Sequence, residues 1–262
     1  MKFAKIALLT AATLTSGISL NASAHDVVSL KFSDGRADVT GVKNVNAVLN
    51  PIGINVTTLD IPKGAKPILK AYEKRALTNV EQKKLIKEFY LNREQLLEQV
   101  RLAGRTPAVQ GGGVLTEETG FGPYPKVYDM KALDSKTHKA ILEKYGRMHV
   151  NSADDGTDVD EVMTVVSGGP FRWGFTLKDG TIARFQIEEV GPKDQAVRVS
   201  YHGLGMHAGI MDAKKGIIVA FGHGPKEFTM RYKADVPHAN LLGTNPWIDF
   251  SKDMPVVVEK VK

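Results

Sequence analysis

The chain has 262 residues, 42% of them hydrophobic, with 35 Lys and Arg against 29 Asp and Glu for a formal net charge of +6, and it contains no cysteine. The missing thiols exclude a disulfide framework, a thiolate metal site and a cysteine nucleophile. Basic residues are scattered, with no run longer than pairs such as Lys83-Lys84 and Lys214-Lys215; nucleic-acid binding needs a denser stripe and is not expected.

Residues 1–24 place Lys2 and Lys5 before an apolar run, Ile6 to Leu14, and end on Ala22-Ser23-Ala24. That pattern is a secretory signal peptide, which predicts cleavage before His25 and a periplasmic or secreted product. The apolar run is too short to cross a bilayer, and no later stretch reaches the roughly 18 apolar residues that a membrane span requires. An N-terminal His25 has the α-amine and ring nitrogen of a copper brace resembling that of lytic polysaccharide monooxygenases. The resemblance stops at that residue, so chance placement is the expectation.

The segment 25–132 reads as strands, then helices, then a loop. Alternating VVSLKF and the β-branched run INVTTLDI predict strands. Thr78-Asn79-Val80-Glu81 is a capping box, opening a helix whose apolar positions Leu85, Ile86, Phe89, Leu96, Leu97 and Val100 recur at helical spacing. Asn92 is placed to recap it midway, and Gly104 to stop it. The Gly- and Pro-rich stretch 105–132 is the best boundary. Its Gly111-Gly112-Gly113 fits no phosphate-binding loop.

The segment 133–262 opens with a short helix, roughly Ser135 to Tyr145, capped by Asp134 and ended by Gly146. His138 falls on its apolar face and reads as a satisfied core residue. From about 162 onward short strands follow at regular spacing, predicting an antiparallel sheet, curved and possibly barrel-like. The expected fold class is therefore α+β, with N-terminal strands and helices packed against that sheet. The two segments are compatible with a single domain.

The stretch YHGLGMHAG, 201–209, carries the nearest approach to chemistry. A four-residue hairpin loop, Gly203 to Met206, would oppose His202 and His207 across an antiparallel pair, with Cβ atoms about 4.5 to 5.5 Å apart. A second hairpin at Lys214-Lys215-Gly216 would set His207 opposite His223. All three histidines would then share one face with Arg198, Ser200, Gly209, Met211, Val219 and Phe221. Three strand-borne imidazoles suit zinc, iron, manganese or copper, with an open position for water or substrate. Glu188, Glu189 and Asp212 are nearby as a further ligand or general base, Arg198 as an anchor for an anion, and Phe221 as an apolar contact. Strand-borne histidines resemble those of cupin barrels, but the cupin spacing H-x-H followed by glutamate is absent, and no family is assigned.

Five carboxylates crowd residues 154–161. They lack the spacing of a calcium loop and read as a solvated turn. Trp173, Phe175 and Phe185 read as core, and Trp247 stands apart in the C-terminal tail. No G-x-S-x-G elbow supports a serine hydrolase. The sequence thus predicts an exported small-molecule-binding protein, as a divalent-metal enzyme with His202, His207 and His223 as ligands. The alternatives are a non-catalytic periplasmic ligand-binding protein and an envelope structural or adhesive protein. Nothing in the sequence sets the oligomeric state.

Overall fold

A computed structural model describes residues 27–106, 114–115, 124–225 and 227–261. The leader, His25 and the Gly111-Gly112-Gly113 run lie outside the described residues. The first half comprises β1 (Val28–Phe32), β2 (Val39–Thr40), α1 (Val42–Leu49), β3 (Asn55–Leu59), α2 (Lys66–Tyr72), α3 (Asn79–Glu88), α4 (Arg93–Leu102), β4 (Val114–Leu115) and β5 (Lys126–Asp129). There follow α5 (Ser135–Tyr145), β6 (Val150–Ser152), β7 (Asp160–Gly168), β8 (Phe171–Thr176), β9 (Ile182–Ile187), β10 (Ala196–His202), β11 (His207–Ile210), β12 (Gly216–His223), β13 (Thr229–Arg231), β14 (Ile248–Asp249) and β15 (Val256–Val257). No helix among the described residues is long and apolar enough to cross a membrane.

The capping residues act as read from the sequence. Thr78 and Glu81 form a reciprocal box at α3, Asn92 and Gln95 form another at α4, and Asp134 accepts from the Thr137 amide at α5. Each satisfies amide N–H groups that a helix start leaves free.

Two open antiparallel sheets lie face to face, and no closed barrel is found. One has strand order β11-β8-β9-β1-β2, the other β3-β10-β7-β12-β4, with β5 also on β12. Strands from either side of the Gly- and Pro-rich stretch share both sheets: β1 pairs β9 and β3 pairs β10, while β5, inside that stretch, pairs β12. Leu30, Trp173, Phe175 and Phe185 of one sheet and Met163, Val199, Tyr201 and Ile218 of the other fill the space between them. Burying a side chain such as Phe185 stabilises the fold by about 1.5–3 kcal/mol.

The outer faces are covered too. α2, α3 and α4 lay Ile68, Leu85 and Leu96 against Val162, Val219 and Phe221. The C-terminal segment lays Trp247 and Ile248 against Ile182 and Ile210. Strands buried on both faces lose the apolar–polar alternation, which is why β12 reads as a nearly unbroken apolar run from Ile217 to Phe221. His138 Nε2 donates to the Met211 carbonyl oxygen, 2.7 Å away, and is the core histidine its position implied.

Neither expected histidine hairpin forms. β10 pairs β7 and β3, β11 pairs β8, and β12 pairs β7, so the chain leaves one sheet after His202 and returns to it at Gly216. Gly203 makes the crossing possible: a Cβ there would lie 2.2 Å from the Asn151 carbonyl oxygen. Backbone at such a close approach excludes every side chain.

Candidate functional site

The crossing divides the three predicted histidines. His202 and His223 both stand opposite Asp160, on either side of β7, and share its outer face. His207 stands opposite Phe175 in the other sheet and points inward, 4.8 Å from the Tyr201 ring. The expected shared face of His202, His207 and His223 is therefore corrected: it required three consecutive strands of one sheet, and β11 belongs to the other.

The companions predicted for that face separate as well. Arg198 is buried on the outer face, where its Nε donates to Thr164 Oγ1 at 3.0 Å and burial lowers its pKa to about 10. Phe221 is fully buried under the helices, edge-on to Tyr90. Neither lines the inner cavity. Asp212 pairs with Arg172 at 2.6 Å, Glu189 with Lys215, and Glu188 accepts from Gln186. None of these carboxylates joins a histidine site.

His207 has a different partner. His149 opposes it across an antiparallel bridge, with backbone bonds of 2.8 and 3.0 Å, and the two rings lie 4.5 Å apart. Asn151, two residues on, shares the inward parity of His149. Glu161 arrives from the first turn-facing end of β7, one residue after Asp160 and therefore on the opposite face. Its Oε2 lies 3.3 Å from His207 Nε2 and accepts from Asn151 Nδ2 at 2.9 Å; Oε1 accepts from the Tyr124 hydroxyl.

The tautomers follow from the backbone. His149 Nδ1 lies 2.7 Å from the Arg147 carbonyl oxygen, and His207 Nδ1 lies 2.7 Å from that of Gly205. A carbonyl only accepts, so each Nδ1 carries the proton and a neutral ring presents its Nε2 lone pair. Burial first, then the neighbouring His207, push the His149 pKa down to about 3, so that ring is neutral. Burial raises the Glu161 pKa, but the adjacent His207 ring and hydrogen bonds from Tyr124 and Asn151 outweigh it and hold the carboxyl below its ordinary value.

These groups floor a cavity of about 190 Å³ between the sheets, walled by Tyr128, Met163, Trp173, Tyr201, Met211 and Phe228. Asn151 Oδ1 is buried there with no hydrogen-bond partner. Among the described residues, no three His, Cys, Asp or Glu side chains already stand as a formed metal cage.

Carboxylates 154–161 take four different positions. Asp154 pairs with Arg231, Asp155 caps its own turn at Thr157, Asp158 meets His202, and Asp160 and Glu161 are buried back to back. The solvated-turn reading holds for the first two.

No family model and no curated protein matches the chain. Among solved structures it is similar to an acireductone dioxygenase from Bacillus anthracis with cadmium ion in its active centre. That likeness has 14% identity and a TM-score of 0.49, over 78% of this chain and 95% of the other. At that level neither activity nor metal transfers, and the site rests on its own atoms.

Proposed function

We propose that this chain is an exported, divalent-metal-dependent enzyme acting on a small molecule in the inter-sheet cavity, with His149, Asn151, Glu161 and His207 as the metal-binding set. The observation that carries the reading is the pair of imidazoles whose Nδ1 protons are both committed to backbone carbonyls. Metal-bound histidines are held in this way, with the second nitrogen donated to a fixed acceptor so that the first offers its lone pair. Glu161 adds an anionic oxygen, and the orphaned Asn151 Oδ1 adds a neutral one. Nitrogen and oxygen donors without sulfur suit zinc, iron, manganese or nickel.

A bound divalent ion supplies Lewis acidity, polarising a substrate oxygen or lowering the pKa of a bound water. The chain supplies the rest. Tyr124 and Asn151 orient the Glu161 carboxylate, and Trp173, Met163 and Met211 exclude bulk water from the floor. Export is supported by the leader-like residues 1–24 alone.

A second reading is favoured by the 3.3 Å separation of His207 Nε2 and Glu161 Oε2. Closed on itself, that pair is a metal-free acid–base couple in a ligand pocket. Elemental analysis of the purified chain and thermal shift with added zinc, iron, manganese or nickel separate the two. The metal reading expects bound metal and a stabilising shift, both lost in His149→Ala and His207→Ala and retained, though weaker, in His202→Ala. A metal-free preparation that none of the four ions stabilises overturns it.

A further inference from the structure

The cavity is not uniform along its depth. Its floor is buried: His149, Asn151, Glu161, Tyr201 and His207. Its mouth is the open end, where Lys144 is exposed and Tyr145, Phe228 and Met230 are half-buried. Among the lining residues only Glu161 and Lys144, apart from the two imidazoles, bear formal charge. The Glu161 charge is answered inside the floor by Tyr124, Asn151 and His207. The Lys144 charge is not answered: among the described residues it forms no ion pair, and its ammonium stands 5.7 Å from the Tyr145 ring centre.

A second lysine faces the same wall. Lys126 holds its ammonium 4.6 Å from the ring centre of Tyr128, a lining residue, and also has no ion-pair partner among the described residues. Burial first, then the Lys144 charge, hold Lys126 below its ordinary pKa. Two cations that repel each other across one aromatic rim, neither ion-paired among the described residues, lower their mutual repulsion when an anion enters.

We propose that the cavity takes a small organic anion, its apolar body against Trp173, Tyr201 and Met211 and its charged group at Lys144 and Lys126. This rests on the cavity being the working site, and not on the presence of a metal.

The test uses the full chain and a matched pair of probes, benzenesulfonate and its uncharged isostere methyl phenyl sulfone, titrated by calorimetry or NMR. Both probes are titrated into metal-stripped and zinc-supplemented protein. Benzenesulfonate is expected to bind roughly threefold to tenfold more tightly than the sulfone, the range that one or two partly exposed ion pairs supply. That preference should vanish in Lys126→Met/Lys144→Met, invert in Lys144→Glu, and fade as salt is raised. Equal binding of the two probes, binding of neither, or a preference that survives in the double variant overturns the proposal. A lysine-dependent preference in a chain that binds none of zinc, iron, manganese and nickel sinks the metal reading alone. Zinc binding without the preference sinks this one alone.

Discussion

Asp160 and Glu161 are neighbours in β7, both almost fully buried, and they point to opposite faces of one sheet. On the outer face Asp160 is neutralised by the Arg105 guanidinium, which also donates to Ser200 Oγ at 2.8 Å. His223 beside it is fully buried: its Nδ1 lies 3.5 Å from Asp160 Oδ2, neither ring nitrogen is hydrogen-bonded, and it does not line the inner cavity. On the inner face Glu161 is held by neutral donors and one imidazole, and an open space lies above it. Both clusters set a buried carboxylate beside histidine. What separates them is whether lone pairs are aimed at room for a ligand. A buried carboxylate closed by an arginine works for the fold, and one left facing aimed imidazoles is available for chemistry.

The strongest way to break that comparison is to exchange effects between the faces. Glu161→Gln and His207→Ala should each lower affinity for the bound divalent ion by more than about 100-fold, beyond the range seen for outer-shell changes. Competition with a chelating dye reads this. Asp160→Asn should leave that affinity unchanged and instead cost about 3–5 kcal/mol of stability, because it strands the Arg105 charge in a buried site. Urea unfolding measures the second. If Asp160→Asn strips the metal or Glu161→Gln only destabilises, the assignment of roles to faces is reversed.

Much of this was legible before any coordinates. The capping residues of α3, α4 and α5, the core role of His138 and the antiparallel strands follow from short-range chemistry. The expected pairing of His207 with His202 and His223 does not hold: the histidine across from it is His149, in an isolated bridge just before β6. Gly203 and Gly205 read equally well as a hairpin and as a crossing between sheets, and only the approach of the Asn151 backbone decides between them. His149 and Glu161 lie far from His207 in sequence, so no local pattern links them. One signal was available: His149-x-Asn151 followed by Glu161 is nearer to H-x-H then glutamate than anything in 202–223, with asparagine in place of the second histidine. Glu161 was hidden by its company, since five clustered carboxylates look solvated until the strand parity of Glu161, Met163 and Val165 is followed inward.

A subtler effect joins the two faces. Asp158 accepts from the Val159 and Leu204 amides, each at 2.8 Å, and its Oδ2 lies 3.0 Å from His202 Nδ1. This clamp holds the turn whose Gly205 carbonyl fixes the His207 tautomer. His202 is thus a positioning residue, acting on the site it was predicted to ligate. His202→Ala should weaken metal binding by about 10-fold, the low end for an outer-shell partner. The long-range proton–nitrogen spectrum of His207 should at the same time show its proton shared between Nδ1 and Nε2. Unchanged affinity with an unchanged tautomer would leave His202 a purely structural residue.

The smallest expected effect concerns the helical cover of the outer face. Glu81 is half-buried, and the Arg75 guanidinium and the Thr78 amide and hydroxyl lower its pKa from 4.5 to about 2. A carboxyl depressed in the folded state stabilises above its unfolded value, and that contribution fades as pH falls through the folded one. The loss therefore lies between about pH 4.5 and 2. Glu81→Gln removes the titrating group, so its thermal midpoint should lie below that of the parent at pH 6 and converge on it near pH 2. Because α3 covers the sheet face opposite the cavity, metal affinity at pH 6 should be the same in both proteins. A parallel pair of midpoint curves would show that the capping box carries no charge-dependent share of stability, and a shift in affinity would show that the cover and the cavity are coupled.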